Sequence, residues 1–274
     1  MKITFIGGGN MATALIGGLK KQGFSVAGIQ VVEPFAEARE RLTETFGVRC
    51  TESIDAAALN CEVLVLAVKP QQMKEALAAA SGKLTDQLVI SIAAGLRLAD
   101  IGRWLGGQQG SYSKLVRAMP NTPALIGVGI TGLYAAATVD REGRGIAEKI
   151  LAAVGRTLWI EDEALMDVVT AVSGSGPAYV FYFIESLANA GAALGLPEET
   201  ARLLAVETFL GATRLAEASS DPVSVLRERV TSRGGTTAAA LDAFAAADIA
   251  AAIAKGVDAA AARGRELCDQ LGQN

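Results

Sequence analysis

The chain has 274 residues, 51 % of them apolar and 20 % charged, with a formal net charge of −4 and no histidine. That is enough apolar chain for one large packed domain or two smaller ones, and it excludes a disordered polymer. The acidic balance argues against non-specific binding to nucleic acid or anionic membrane, and the missing imidazoles exclude Ser-His-Asp and Cys-His catalysis and histidine metal sites.

The first dozen residues carry the strongest local pattern. Lys2 to Ile6 is a short apolar strand, Gly7-Gly8-Gly9-Asn10-Met11-Ala12 follows, and Met11 to Leu19 is amphipathic with helical spacing. This is the strand, glycine turn and helix layout of a dinucleotide site, with the third glycine replaced by Ala12. Gly7 permits the turn, Gly9 lets a pyrophosphate approach the backbone, and the helix start offers free N–H groups and a positive dipole end. A second strand, Gly28 to Val32, ends at Glu33, where a carboxylate meets the adenosine ribose in such sites. Both features also have plainer readings, a structural turn and a solvated loop charge.

Further along, Ala36–Phe46 is predicted as a helix and Val48–Cys50 as a short strand. Val63–Val68 and Leu88–Ile92 are continuous apolar runs, the pattern of strands buried on both faces. A helix is expected from Gln71, another over Leu98–Leu105, and a strand over Lys114–Ala118. In Met119-Pro120-Asn121-Thr122-Pro123 the two prolines forbid a helix and predict an extended turn. Strands at Ile130–Tyr134 and Arg156–Trp159 flank a helix at Arg141–Val154. Strands alternating with helices predict a doubly wound parallel sheet, with ligands outside the carboxyl ends of its strands. Those ends are Gly7–Ala12, Glu33, Ala67–Pro70, Ala93–Gly95 and Met119–Pro123.

Beyond Glu161 the pattern is helical throughout, so the chain divides into an α/β domain over 1–160 and an all-helical domain over 161–274. Helices are predicted at Glu163–Ser173, Pro177–Leu194, Pro197–Glu217, Pro222–Val230, Thr236–Ala246 and Ile249–Leu271. The last two are rich in alanine, which lets backbones approach closely and points to a crowded bundle, either shared with a second subunit or closed within a single chain. Before the fifth of these helices, Thr231-Ser232-Arg233-Gly234-Gly235-Thr236-Thr237 combines hydroxyls with glycines, a receptor for a small anion such as a carboxylate. Thr236 or Thr237 alternatively serves as a plain N-cap. Ser173-Gly174-Ser175-Gly176-Pro177 fits a tight helix crossing or a ligand contact equally well.

Cys50, Cys61 and Cys268 are scattered, which fits idle thiols in a reducing compartment and argues against a metal site. With no apolar run of transmembrane length and no visible signal peptide, a cytoplasmic location is expected.

Taken in order, Gly7–Ala12, Ala67–Pro70, Met119–Pro123, Ser173–Tyr179 and Thr231–Thr237 resemble the motifs of pyrroline-5-carboxylate reductases over essentially the whole chain. The resemblance implies a Rossmann-type doubly wound α/β sheet followed by an all-α C-terminal dimerisation domain. It also implies reduction of 1-pyrroline-5-carboxylate to L-proline by NADPH or NADH, in a homodimer or a ring of dimers. The implied cofactor contacts are Ile6, Gly7, Gly9, Asn10, Met11, Ala12 and Glu33, then Ala67, Val68, Lys69 and Pro70, then Ala118, Met119, Pro120 and Asn121. The implied substrate contacts are Ser232, Gly234, Gly235, Thr236 and Thr237, with the Thr237 hydroxyl at the ring nitrogen. Glu33 suits the free 2′-OH of NADH, whereas family members often use NADPH, so dual use is expected. Arg233 stands where many members carry proline, and Glu52-Ser53-Ile54 stands where many carry an asparagine.

Two other functions fit part of the pattern. A 3-hydroxyacid dehydrogenase needs an acid–base lysine in the helical domain, where this chain has only Lys255. A non-enzymatic NAD(P) sensor leaves the Ser232–Thr237 loop without a purpose.

Overall fold

The computed structural model describes residues 1–273. Two compact units form. One comprises Met1–Ser175 with the last helix from Ala259 onward, and the other is Gly176–Asp258. The predicted boundary at 160/161 marks where strands end. The compact units divide later, because residues 161–175 pack with the sheet.

The first unit is built in the order β1 (Ile3–Ile6), α1 (Asn10–Lys21), β2 (Ile29–Val32), α2 (Ala36–Phe46), β3 (Arg49–Thr51) and α3 (Ala56–Leu59). There follow β4 (Val63–Leu66), α4 (Met73–Leu77), β5 (Leu88–Ser91), α5 (Leu98–Gly106), β6 (Leu115–Met119), β7 (Gly129–Ala135), α6 (Arg141–Leu151), β8 (Gly155–Trp159) and α7 (Met166–Val169). The eight strands form one sheet in the order β3-β2-β1-β4-β5-β6-β7-β8. Strand order reverses between β1 and β4, the switch point outside which open α/β sheets bind their ligands. β4 and β5 are buried along their full length, as their unbroken apolar runs require.

The sheet departs from the expected all-parallel pattern at one pair. β6 and β7 are antiparallel, with Ala118 opposite Leu133. Too few residues join them for a crossover helix, so the chain turns straight back. Inside that connection Thr122–Ile126 is a 3-10 helix with proline in its first turn. The predicted helix-free turn is therefore corrected: proline in a first turn gives up an N–H that has no intrahelical partner anyway. The single helix expected over Glu163–Ser173 is also broken, into a 3-10 turn, α7 and a π-helical turn at Thr170–Gly174. The hydroxyls of Thr170 and Ser173 donate to the carbonyls of Met166 and Val169, and Ser175 N–H reaches back to Thr170 O at 2.8 Å. Such back-bonding competes with the regular ladder and widens the turn.

The second unit contains α8 (Gly176–Ala193), α9 (Glu198–Ala218), α10 (Val223–Arg229), α11 (Thr236–Ala246) and the first part of α12 (Ile249–Gly272). α8 and α9 pack as a hairpin, with Pro197 and Pro222 at the N-caps of α9 and α10. Its core is thin. No residue of α8 is buried, α9 buries only Ala201 and Ala205, and Phe181 and Tyr182 are 65 % and 66 % exposed. Among the described residues no single helix is long and apolar enough to cross a membrane.

The end of α12 belongs to the first unit. Asp269 pairs with Arg97 at 2.6 Å, and Gly272 O accepts from Arg103 at 2.6 Å. Beneath them lies a buried ionic cluster. Arg117 on β6 is 3 % exposed and bonds Asp167 of α7 at 2.9 Å, with Glu163 at 3.6 Å. The Cys268 thiol donates to Asp167 across 3.6 Å. Burial pushes that thiol's pKa up, and Arg117 opposes the shift.

Candidate active site

The carboxyl ends of β1, β2, β4 and β6 bring most of the predicted cofactor residues to one edge of the first unit. After Ile6 the chain turns at Gly7, with φ +99° and its N–H bonded to Val32 O at 2.8 Å. A Cβ at Gly7 would lie 2.7 Å from Ala67 O, so only glycine allows this approach between the β1 and β4 ends. Around Gly9 the space is open: a Cβ there would meet nothing within 4 Å. Gly9 is the N-cap of α1, no side chain caps the helix, and its first turn holds no acidic residue. The free N–H groups of Asn10, Met11 and Ala12 therefore border the open space at Gly9, with Ala12 itself buried in the core. The site fits the pyrophosphate of a dinucleotide.

At the end of β2, Glu33 is 7 % exposed. One carboxylate oxygen accepts from Gly8 N–H at 2.8 Å and the other from Phe35 N–H at 3.0 Å. It is a fixed charge and not the solvated loop acid of the plainer reading. Ala67 and Val68 continue from β4, with Ala67 N–H bonded to Ile6 O at 2.8 Å; Lys69 then caps a 3-10 turn that begins at Pro70. Ala118 and Pro120 are buried, and the end of the flexible Met119 side chain packs on Gly174.

Asn121 behaves as a clamp. Its Nδ2 donates to Ser173 O at 3.2 Å and its Oδ1 accepts from Ile130 N–H at 3.0 Å, so its amide ties the turn after β6 to the π-helical turn and to β7. The sequence pattern did not disclose this role, nor the Arg117–Asp167–Cys268 cluster. A cation inside the apolar strand Leu115-Val116-Arg117-Ala118 was the one local sign of it.

The remaining predicted residues lie in the second unit. Gly234 has φ +72°, and Gly235 N–H bonds Ser232 O at 3.0 Å, closing a tight turn into α11. Gly235, and neither threonine, is the N-cap; no side chain caps α11 and its first turn has no acidic residue. The plain N-cap reading of Thr236 and Thr237 is thereby set aside. Thr236 is exposed and Thr237 half-buried, beside free N–H groups suited to a carboxylate. Ser232, Arg233 and Gly234 are exposed.

Known proteins with similar sequences and folds span the whole chain. Residues 163–267 match the family model for pyrroline-5-carboxylate reductase dimerisation, and residues 2–95 that for coenzyme F420-dependent NADP oxidoreductases. A pyrroline-5-carboxylate reductase of Pseudomonas aeruginosa is 45 % identical over 273 residues, covering 99 % of this chain and 98 % of that protein. The structure of a pyrroline-5-carboxylate reductase from Coxiella burnetii superposes with a TM-score of 0.90 at 41 % identity, over 97 % of this chain and 98 % of the other. The Plasmodium falciparum pyrroline carboxylate reductase with NADP bound gives 0.85 at 29 % identity, over 98 % of both chains.

Proposed function

This chain belongs to the pyrroline-5-carboxylate reductase family, and from that premise we infer that it reduces the C=N bond of 1-pyrroline-5-carboxylate to give L-proline, the last step of proline synthesis. It is an NAD(P)H-dependent oxidoreductase. The observation that carries the substrate reading is the uncapped start of α11 behind the Gly234–Gly235 turn, in a chain whose α1 opens the same way for a dinucleotide.

In this reading the N–H groups of Asn10, Met11 and Ala12 receive the pyrophosphate, Ile6, Gly7 and Gly9 shape its turn, and Glu33 faces the adenosine ribose. Ala67–Pro70 and Ala118–Asn121 border the nicotinamide end, with Asn121 acting through the turn its side chain clamps. Bound NAD(P)H supplies the hydride. Ser232 and Gly234 shape the loop in which backbone N–H groups of Gly235, Thr236 and Thr237 take the substrate carboxylate. The Thr237 hydroxyl oxygen accepts a hydrogen bond from the iminium N–H and orients the ring. A protonated imine already carries its proton and positive charge, so no general acid is needed, and a chain without histidine suffices by holding its ligands in register. Both NADPH and NADH serve. The exposed apolar residues of α8 and α9 support a homodimer, alone or within a ring of dimers.

The test is oxidation of NADPH and of NADH by the purified protein on addition of 1-pyrroline-5-carboxylate. No turnover with either cofactor refutes the reading. Thr237→Ala is expected to lower kcat/KM by about a hundredfold while cofactor binding persists; an unchanged rate removes Thr237 from the mechanism.

A further inference from the structure

The corner between β2 and α2 carries fixed charges of both signs where the adenosine ribose is proposed to sit. Glu33 cannot swing aside, because both its carboxylate oxygens are held by backbone N–H groups in a buried position. A carboxylate so placed accepts from a free 2′-OH and repels a 2′-phosphate. Arg39, one helical turn into α2, reaches back over the same corner. Its Nη1 donates to Glu33 O at 2.8 Å and to Pro34 O at 2.7 Å. Those two bonds pin the guanidinium, and among the described residues no carboxylate forms a salt bridge with it. Its Nε and Nη2 donors remain for a ligand. The acids nearest in sequence on the helix, Glu37 and Glu40, are exposed.

We propose that Arg39 is the cofactor-selecting residue of this chain. Its guanidinium takes the 2′-phosphate of NADPH and offsets the repulsion from Glu33, so the pair sets the ratio of NADPH to NADH use. The proposal rests on the NAD(P)H reading above. The chemistry is that of a planar cation presenting parallel N–H donors to phosphate oxygens, bonds stronger than those between neutral groups. Arg39 is held by main-chain carbonyls that any residue at 33 and 34 would supply, so its placement does not depend on the Glu33 side chain. The two residues act on the ligand independently, in opposite directions.

Titration calorimetry of the full-length protein with NADPH, NADH, 2′,5′-ADP and 5′-AMP tests this without turnover. In Arg39→Gln the ratio of the NADPH Kd to the NADH Kd is expected to rise at least about tenfold, as loss of one charged hydrogen bond implies. The ratio for 2′,5′-ADP over 5′-AMP should rise in parallel, and Arg39→Lys should recover part of both shifts. Glu33→Gln should move both ratios the other way. Equal weakening of all four ligands in Arg39→Gln would reduce Arg39 to a brace of the corner and overturn the proposal. So would a wild-type protein that binds NADH but not NADPH. A wild-type protein that binds no dinucleotide overturns the cofactor reading itself, a result separable from the other two.

Discussion

The two compact units bury their apolar residues to very different extents. In the first, every residue of β1, β4 and β5 is buried, and even a charged cluster is enclosed around Arg117. In the second, α8 buries nothing and leucines such as Leu203 and Leu215 stand 59 % and 69 % exposed. The first unit closes its core with its own chain. The second leaves much of its apolar surface exposed, and a family model for dimerisation matches residues 163–267, which include it. One unit can therefore be destabilised from within, and the other through association.

The largest expected effect is inside the first unit. Asp167→Ala leaves Arg117 buried with, among the described residues, only the more distant Glu163 as a counter-ion, and should cost about 3–5 kcal/mol in urea unfolding. A loss below about 1 kcal/mol would mean the cluster is not enclosed as described. A matched pair of leucine truncations then sharpens the contrast. Leu66→Ala, in the middle of the sheet, should cost about 2–5 kcal/mol at any protein concentration. Leu203→Ala should shift Tm in a way that depends on protein concentration and weaken self-association in sedimentation runs. If both variants lost stability equally and independently of concentration, the second unit would be closed by its own chain after all.

The smallest effect concerns pH. Tyr112 donates to Gln87 O at 2.6 Å, and burial, with help from Asp86, pushes its pKa from about 10 to about 12. The folded state thus holds the phenol proton more tightly than the unfolded one. Its contribution is complete below pH 10 and is lost as pH rises towards 12. Tyr112→Phe should flatten that part of the stability profile relative to wild type, as followed by urea midpoints between those limits.

Elements set by short-range pattern were legible in the chain. The glycine turn, the apolar runs of β4 and β5 and the spans of α2 and α11 each depend on residues a few positions apart, where period and turn chemistry decide the outcome. For Asn121 the resemblance implies a cofactor contact, whereas its clamp on Ser173 and Ile130 is a tertiary contact that no local pattern encodes. For Arg39 the local pattern predicts only a place within the Ala36–Phe46 helix.

The sequence by itself determined the order of the strands and of the longer helices, the dinucleotide turn and the lack of imidazole chemistry, because these are local or compositional. The tertiary structure alone decided that β7 runs against β6, that Glu33 is locked onto Gly8, and that Arg117, Asp167 and Cys268 meet across separations of 50 and 101 residues. Buried charges find partners only where the folded chain removes water from both, and no periodicity in sequence encodes which distant residue that will be.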